Sequence, residues 1–213
     1  MSFYARHGKR WLDLTVALVA LLLLSPLLLL IALAIFLDTR GGVFYRQERI
    51  GRHGVPFLLW KFRSMVQGAE SRGAGMLVEA NDSRVTRVGS LIRKLSLDEI
   101  PQLFNIVQGD MSLVGPRPGL RYQVELYDEK QRRRLLVRPG VTGWAQVNGR
   151  NSIEWPRRIE LDLEYIDRMS LPFDVWVLLR TLPSVLKREN MIAGRDYWKE
   201  KARQREVEGG HGR

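Results

Sequence analysis

Two adjacent carboxylates, Asp98 and Glu99, have the clearest potential for chemistry in this sequence. They lie in the stretch Ser-Leu-Asp-Glu-Ile-Pro, with the cation Arg93 shortly before them. A carboxylate can attack a phosphoryl group and form an acyl phosphate, and adjacent carboxylate oxygens suit Mg²⁺. The competing interpretation is a helix start. Either Ser96 is the N-cap of a capping box, or Asp98 is the cap and Pro101 falls in the first turn, where it costs little.

Three short segments carry cations in a form that suits phosphate binding. The segment Gly109–Gly119 holds Arg117 between two prolines, and a rigidly placed guanidinium favours bidentate phosphate recognition. The segment Arg138–Asn151 combines glycines, which allow close backbone approach, with an arginine at or near each end, and Lys61–Met65 adds two cations. Each segment has a second interpretation as a structural turn with solvated charges. The candidate binding residues are Lys61, Arg63, Arg93, Pro116, Arg117, Pro118, Arg138 and Arg150.

An apolar run of 22 residues, Val16–Leu37, is long enough to cross a bilayer as a helix. Only Ser25 and Pro26 interrupt it; a proline kinks or breaks a helix, and the serine can bond the freed carbonyls. Both flanks are basic, as cytoplasmic flanks are. Two interpretations stay open: a helix–break–helix hairpin that enters and leaves on one face, or a kinked spanning helix. A cleaved signal peptide is disfavoured, because the run is long and no small-residue cleavage site follows it.

The composition restricts the remaining classes of function. The 213 residues carry a net charge of +11, which favours nucleic acid, anionic lipid headgroups or phosphorylated substrates as partners. No recognised nucleic-acid-binding module is present, so we expect no nucleic-acid partner. The chain has no cysteine, which excludes disulfides, thiolate-held zinc and thiol catalysis. The three histidines have no metal-ligand spacing.

The hydrophobic pattern predicts a mainly α-helical fold with one small β-hairpin. A glycine-containing turn separates two strand patterns, Val43–Gln47 and Pro56–Lys61. Helical spacing of apolar residues, or a charged helical composition, occurs in three further segments. These are Arg84–Leu95, Tyr122–Leu136 and Arg157–Arg168.

The C-terminal part of the sequence contains one more apolar segment, Leu171–Leu186. It carries Asp174, Arg180 and two prolines, so it suits an interfacial or core helix better than a second membrane span. Lys199–Arg213 is polar and predicts a disordered tail. The pattern therefore divides the chain into a membrane segment at 1–40, a compact domain with interfacial helices at 41–198, and a tail at 199–213.

In their order and spacing these motifs resemble the bacterial sugar transferase family, specifically its small monotopic phosphoglycosyl transferases. The resemblance extends from Ser25-Pro26 to about Ala193 and is most specific in Lys61–Met65, Leu95–Gly119 and Arg138–Asn151. The family is known for a re-entrant membrane helix broken at Ser-Pro. The resemblance therefore implies the hairpin, with the catalytic domain on the cytoplasmic face of the bacterial inner membrane.

The resemblance also implies a two-step transfer. Asp98 would attack the sugar-linked phosphate of a UDP-sugar and release UMP, and a polyprenyl phosphate such as undecaprenyl phosphate would then accept the sugar phosphate. Glu99 would hold Mg²⁺, and Arg117 matches the family's phosphate-binding loop. Less defined roles in the same site fall on Lys61, Arg93 and Asp162.

The expected partners are a UDP-sugar, a polyprenyl phosphate and membrane lipids, and the sequence is compatible with a homodimer. The product would serve the first membrane step of glycoconjugate synthesis. The larger relatives' four extra N-terminal spans are missing, which predicts a minimal catalytic form. The alternative is a non-enzymatic basic adaptor on the membrane surface. An adaptor explains the apolar segment and the positive charge, but it does not explain a carboxylate pair set among arginine-bearing glycine loops.

Overall fold

Residue 4 and residues 8–69, 82–149, 152–186 and 197–210 are described by the computed structural model of the chain. Their contacts divide the chain into two units. The first unit comprises Met1–Asp13, Glu48–Phe57 and Gly109–Arg213. The second comprises Leu14–Gln47 and Leu58–Gln108. The carboxylate pair lies in the second unit, and the two glycine-rich segments lie in the first.

One long helix, α1 (Lys9–Asp38), contains the apolar run, and it is long and apolar enough to cross a membrane. Pro26 lies inside it and cannot donate to the carbonyl of Leu22, four residues earlier. The Ser25 hydroxyl donates to that same carbonyl at 2.8 Å, so the acceptor that proline leaves unpaired is satisfied. Helix α1 is continuous through Pro26, so the predicted break is not confirmed. A bend at Pro26, and with it the re-entrant course, stays a prediction.

The second unit packs the last turns of α1 against a hairpin and two short helices. Strands β1 (Phe44–Ile50) and β2 (Pro56–Phe62) form the predicted antiparallel hairpin, and both strands are shared with the first unit. Helices α2 (Arg87–Lys94) and α3 (Gln102–Gln108) follow, joined through a 3-10 turn at Leu97–Glu99. The core of this unit includes a cluster of four buried side chains, Ile31, Ile35, Phe62 and Ile92.

The first unit is built around a parallel pair of very short strands, β3 (Ser112–Val114) and β4 (Gly140–Thr142). Ser112 pairs with Gly140 and Val114 with Thr142. Short helices surround the pair: α4 (Arg121–Glu125), α5 (Glu129–Arg132), α6 (Trp144–Val147), α7 (Trp155–Arg168), α8 (Leu171–Leu186) and α9 (Tyr197–Gly210). Its core contains Ile50, Val124, Tyr127, Ile159, Leu163 and Trp198.

Helix α8 has the predicted bounds and presents two different faces. Phe173, Asp174 and Val177 are buried, whereas a row of large apolar side chains is exposed. The exposed side chains are Leu171, Val175, Trp176, Leu179 and Leu182. A helix with one buried face and one exposed apolar face suits an interfacial position.

Two predictions about helices differ from the structure. The single helix expected at Tyr122–Leu136 is divided into α4, α5 and a 3-10 turn (Arg133–Leu136), because Asp128 accepts a hydrogen bond from the Gln131 amide and starts a new helix. The expected disordered tail is wrong for residues 199–210, which belong to α9. Trp198 is 4% exposed in the core of the first unit, and this aromatic anchor fixes the start of the helix.

Candidate active site

The carboxylate pair lies in the 3-10 turn that follows α2. Ser96 precedes the turn with a left-handed backbone (φ 54°) and makes no side-chain cap, so the predicted capping box is wrong. Asp98 is inside the turn and is not its N-cap residue. Glu99 Oε1 instead lies 2.9 Å from Lys61 Nζ, and these side chains are only 20% and 17% exposed. The capping box therefore does not explain the pair, and Glu99 forms an ion pair with a lysine of β2.

Asn105 joins β2, the strand that carries Lys61, to α3, the helix that follows the carboxylate pair. This side chain of α3 is fully buried; it accepts from the Trp60 amide at 2.9 Å and donates to the Leu58 carbonyl at 2.7 Å. The amide thus replaces a neighbouring strand along the edge of β2. Sequence reasoning missed Asn105, although a polar residue within the apolar stretch Leu103–Val107 must be hydrogen-bonded when it is buried.

The two other predicted cations of the second unit have different environments. Arg93 is half-buried in the last turn of α2, shortly before the carboxylate pair. Arg63 is 8% exposed, and its guanidinium donates to the carbonyls of Thr39 and Arg40 and to the Thr39 hydroxyl. These contacts fix the chain just after α1. The structure therefore gives Arg63 a structural role, whereas its part in substrate binding stays a prediction.

The predicted phosphate loop follows β3 directly. Pro116 and Pro118 are buried, and Arg117 between them is exposed. The Arg134 guanidinium donates to the Arg117 carbonyl at 2.9 Å, and Arg49 donates to the Pro118 carbonyl at 3.2 Å. Two arginine side chains thus fix the loop backbone, while the Arg117 side chain is exposed to solvent. A side chain that binds a phosphate group must be accessible in this way.

The two glycine-rich segments, which the sequence presents separately, are packed on one another. The Gly115 amide donates to the Thr142 carbonyl at 2.9 Å, and the Gly140 amide donates to the Pro116 carbonyl at 3.0 Å. A Cβ atom on Gly140 would lie 2.1 Å from the Gly115 nitrogen. Only glycine permits this approach, so β4 positions the phosphate loop.

Asp162 supports this loop from the interior and does not face solvent. It is 2% exposed, and its carboxylate accepts from Arg134 Nε at 2.9 Å. Arg134 also contacts the Tyr127 hydroxyl and donates to the Arg117 carbonyl. Asp162 thus supports the loop through Arg134, which the sequence showed only as part of a charged run. Its less defined role in the site stays a prediction.

The pKa values of the ionisable groups around the buried Arg134–Asp162 pair are shifted from their usual values. Burial raises the pKa of Asp162 to about 6, and the positive charges of Arg134 and Arg158 offset only part of the rise. Burial and the neighbouring Arg117 charge lower the pKa of Arg158, so these two guanidiniums lie within electrostatic range of each other. Because the two guanidiniums repel each other, an anionic ligand that binds near both would be favoured. Sequence reasoning missed Arg158, which follows the Trp155-Pro156 start of α7.

Arg138 forms a second cationic group in the first unit. Its Nε donates to the Gly109 carbonyl at 2.8 Å. Burial and the charges of Arg10 and Arg52 lower its pKa. Arg150, at the other end of the same sequence segment, lies outside the described residues.

Whether Mg²⁺ fits this site depends on the side chains of the residues that the structure describes. Among those residues no three Asp, Glu, His or Cys side chains are grouped as a metal cage. Mg²⁺ in phosphate-transferring sites is commonly bound through one or two carboxylates together with substrate phosphates and water. Asp98 and Glu99 fit that arrangement, with Glu99 as the proposed ligand, and they do not fit an all-protein site.

Comparison with known proteins identifies the family. The chain matches the profile of the bacterial sugar transferases over residues 4–188. The chain belongs to the bacterial sugar transferase family. It is 46% identical to the uncharacterized sugar transferase EpsL of Bacillus subtilis, over 86% of this chain and 89% of EpsL. It is 42% identical to the exopolysaccharide production protein ExoY of Rhizobium meliloti, over 84% of this chain and 85% of ExoY.

A third member of the family carries a specific activity in its name. The UDP-glucose:undecaprenyl-phosphate glucose-1-phosphate transferase of Escherichia coli is 43% identical over 85% of this chain, which corresponds to 41% of that longer protein. The family predicted from the motifs is thus confirmed, and the chain is a sugar transferase.

Proposed function

We propose that this chain transfers a sugar phosphate from a UDP-sugar to a polyprenyl phosphate through a covalent phosphosugar on Asp98. The observation that carries the proposal is the Asp98–Glu99 pair, held beside Lys61 in a member of the bacterial sugar transferase family. The name of the Escherichia coli relative, which covers both a UDP-sugar and undecaprenyl phosphate, supports this choice of donor and acceptor.

In the first step, an Asp98 oxygen attacks the phosphorus that carries the sugar. A bond forms between this oxygen and phosphorus, the bond from phosphorus to the bridging oxygen of the diphosphate breaks, and UMP leaves. In the second step a phosphate oxygen of the polyprenyl phosphate attacks the same phosphorus. The bond to Asp98 breaks, the carboxylate is regenerated, and polyprenyl diphosphosugar is the product.

Glu99 and Lys61 have supporting roles in this mechanism. Lys61 holds Glu99 at 2.9 Å, which fixes the orientation of the carboxylate next to the nucleophile. Glu99 is the residue that would hold Mg²⁺, a cation that offsets the negative charge of a diphosphate. Asn105 acts through the backbone of β2 and keeps Lys61 in place.

Phosphate recognition in the first unit is assigned to the exposed guanidinium of Arg117. Arg134 and Asp162 are positioning residues, because Arg134 donates to the Arg117 carbonyl and Asp162 accepts from Arg134. The exposed part of Arg138 is a further candidate anion ligand, and Arg93 of the second unit remains a candidate from the resemblance alone.

Protonation of Asp162 is expected to reduce activity as the pH falls through about 6, because the Arg134 charge then loses its partner beneath the phosphate loop. The folded pKa lies above the value of about 3.9 for an unfolded Asp. For this group the free energy of unfolding therefore rises as the pH falls through about 6, so the lost activity is not unfolding. Rates and thermal unfolding between about pH 5 and 8 test this. Asp162→Asn should lack that titration, and a wild-type rate that is flat through this range contradicts the expectation.

For membrane placement we propose a monotopic arrangement, with α1 bent at Pro26 and both of its ends on the cytoplasmic face of the inner membrane. Basic residues on both flanks support it, as does the exposed apolar row of α8, which would lie in the membrane surface with lipid as its partner. A spanning α1 would instead leave its two basic flanks on opposite sides.

Single cysteines at Ser2 and Gly42 are expected to label equally in inverted vesicles and poorly in right-side-out vesicles. The natural chain has no cysteine, so each introduced thiol is the sole reporter. A Cβ at Gly42 would meet only an ordinary contact, so the substitution is sterically mild. Pro26→Ala should shift part of the population toward a spanning helix, because the missing backbone hydrogen bond is restored. Opposite labelling of the two positions in the wild-type background would contradict the re-entrant arrangement.

UMP release from a panel of UDP-sugars, with and without polyprenyl phosphate, tests the transfer itself and identifies the sugar. We expect release to depend on one or a few UDP-sugars and to continue past the first turnover only with the lipid phosphate. A chain that binds membranes but releases no UMP from any UDP-sugar would be the adaptor alternative.

A further inference from the structure

A buried carboxylate of α8, Asp174, accepts hydrogen bonds from three side chains of the first unit. Its Oδ2 accepts from Lys9 Nζ at 2.5 Å and from the Tyr4 hydroxyl at 2.6 Å. Its Oδ1 accepts from the Tyr165 hydroxyl at 2.7 Å. Asp174 is 1% exposed and Lys9 is 8% exposed. The proposed chemistry uses none of these groups, yet burying a charge is costly unless it is paired and hydrogen-bonded.

A second buried carboxylate continues the network toward the phosphate loop. Asp13 is 2% exposed, lies one turn after Lys9 in α1, and its Oδ1 is 4.0 Å from Lys9 Nζ. The same oxygen accepts from the backbone amide of Leu113 at 3.1 Å. Lys9 is therefore shared between two carboxylates, one of which bonds to the backbone of β3.

The network reaches β3 at a second point through Tyr165. This hydroxyl has one hydrogen and lies within reach of two acceptors, Asp174 Oδ1 and the Val114 carbonyl at 3.0 Å. Burial, followed by the Asp174 charge, raises the pKa of Tyr165, so the hydroxyl keeps its hydrogen. Val114 is the last residue of β3, and Gly115 is the first residue of the loop that presents Arg117.

We propose that Lys9, Asp13 and Asp174 are positioning residues that make the geometry of the Arg117 loop depend on the first turns of α1. The inference rests on the proposed function, because the loop is taken as the phosphate-binding loop. The Asp13 bond to the Leu113 amide, and the Tyr165 hydroxyl that lies between Asp174 and the Val114 carbonyl, join the start of the apolar helix to the strand that carries the loop. An ordered loop then requires that α1 is correctly placed in the membrane.

The charge balance of the network makes the proposal testable by compensation. Removing Lys9 alone leaves two buried carboxylates without their shared cation, and removing the Asp174 charge alone leaves Lys9 with only the more distant Asp13. Breaking one side of a buried ion pair is strongly destabilising, whereas replacing both partners is often tolerated. The pair Lys9→Met and Asp174→Asn therefore offers two single variants that change the net charge of the group, and a double variant of similar volume that keeps the wild-type net charge, carried by Asp13.

The experiment measures amide hydrogen exchange over residues 109–119 and the rate of UMP release, with the full chain in lipid nanodiscs. We expect each single variant to raise exchange in this segment and to lower the rate by about a hundredfold, the scale of a small misplacement of binding groups. The double variant should recover most of both. Asp167→Asn, which removes a carboxylate that is 58% exposed in the same unit, is the matched control and should change neither.

Tyr165→Phe provides a milder variant that leaves all charges in place and removes only the hydroxyl that lies between Asp174 and the Val114 carbonyl. It should raise exchange in the same segment and nowhere else. Unchanged exchange of residues 109–119 in this variant, or in both single-charge variants, would overturn the proposal. So would an increase that is uniform over the whole chain. If the wild-type chain releases no UMP, the proposed function fails, whereas the exchange pattern still decides the coupling.

Discussion

Asp98→Asn is expected to lower the rate of UMP release by several orders of magnitude while the protein stays folded. An amide cannot replace a carboxylate as the nucleophile at phosphorus. Asn caps a helix about as well as Asp, so loss of a helix cap does not account for such an effect. The measurements are single-turnover UMP release and thermal unfolding of the purified variant.

The matched control is Asp128→Asn, because Asp128 is an aspartate that does cap a helix. Its Oδ1 accepts from the Gln131 amide at 2.8 Å at the start of α5. Asn caps a helix about as well as Asp, so this variant should keep both its stability and its activity. An Asp98→Asn protein as active as the Asp128→Asn protein would remove Asp98 from the chemistry.

Glu99→Gln is expected to lower the rate by at least about a hundredfold, the typical cost of removing one group that stabilises charge in a reacting site. Glutamine can still accept a hydrogen bond from Lys61, so the contact with β2 is retained and the fold should survive. The change removes the negative charge that would hold Mg²⁺. Chelation should abolish wild-type turnover, and added Mg²⁺ should restore it.

The comparison variant is Lys61→Met, which removes the cation and leaves the Glu99 charge. Both variants should lose activity, but only Glu99→Gln should need a much higher Mg²⁺ concentration for its residual rate. Full wild-type activity in excess EDTA would contradict the role of the metal. Equal Mg²⁺ requirements in the two variants would mean that Glu99 is not its ligand.

The elements with strong local signals were predicted well from the sequence. The hairpin, α7 and α8 follow from alternation, a proline near a helix start and an apolar helical pattern, all of which act over a few residues. The parallel pair β3–β4 was missed because its strands have three residues each and lie 28 positions apart in register (Ser112 with Gly140). Neither strand has a period long enough to recognise, and only their pairing makes them strands.

The roles of charged residues were predicted less reliably, because a sequence does not show whether a charged side chain is buried or exposed, or which group it contacts. Lys61 and Arg63 are two positions apart, yet Lys61 meets Glu99 and Arg63 is buried against the backbone that follows α1. Arg134 was one member of a run of three arginines, and only the fold shows that it pairs with Asp162. Burial separates these outcomes, and burial depends on tertiary packing.

The central claim is a covalent sugar phosphate on Asp98, and UMP exchange tests it most directly. Incubated with its UDP-sugar and labelled UMP, but with no lipid acceptor, the wild-type chain should transfer label into the UDP-sugar. Asp98→Asn should not. The trapped wild-type adduct should be an acyl phosphate that hydroxylamine releases, on the peptide that contains Asp98. Robust exchange by Asp98→Asn, or no exchange by a wild-type enzyme that turns over with lipid, would contradict the covalent route.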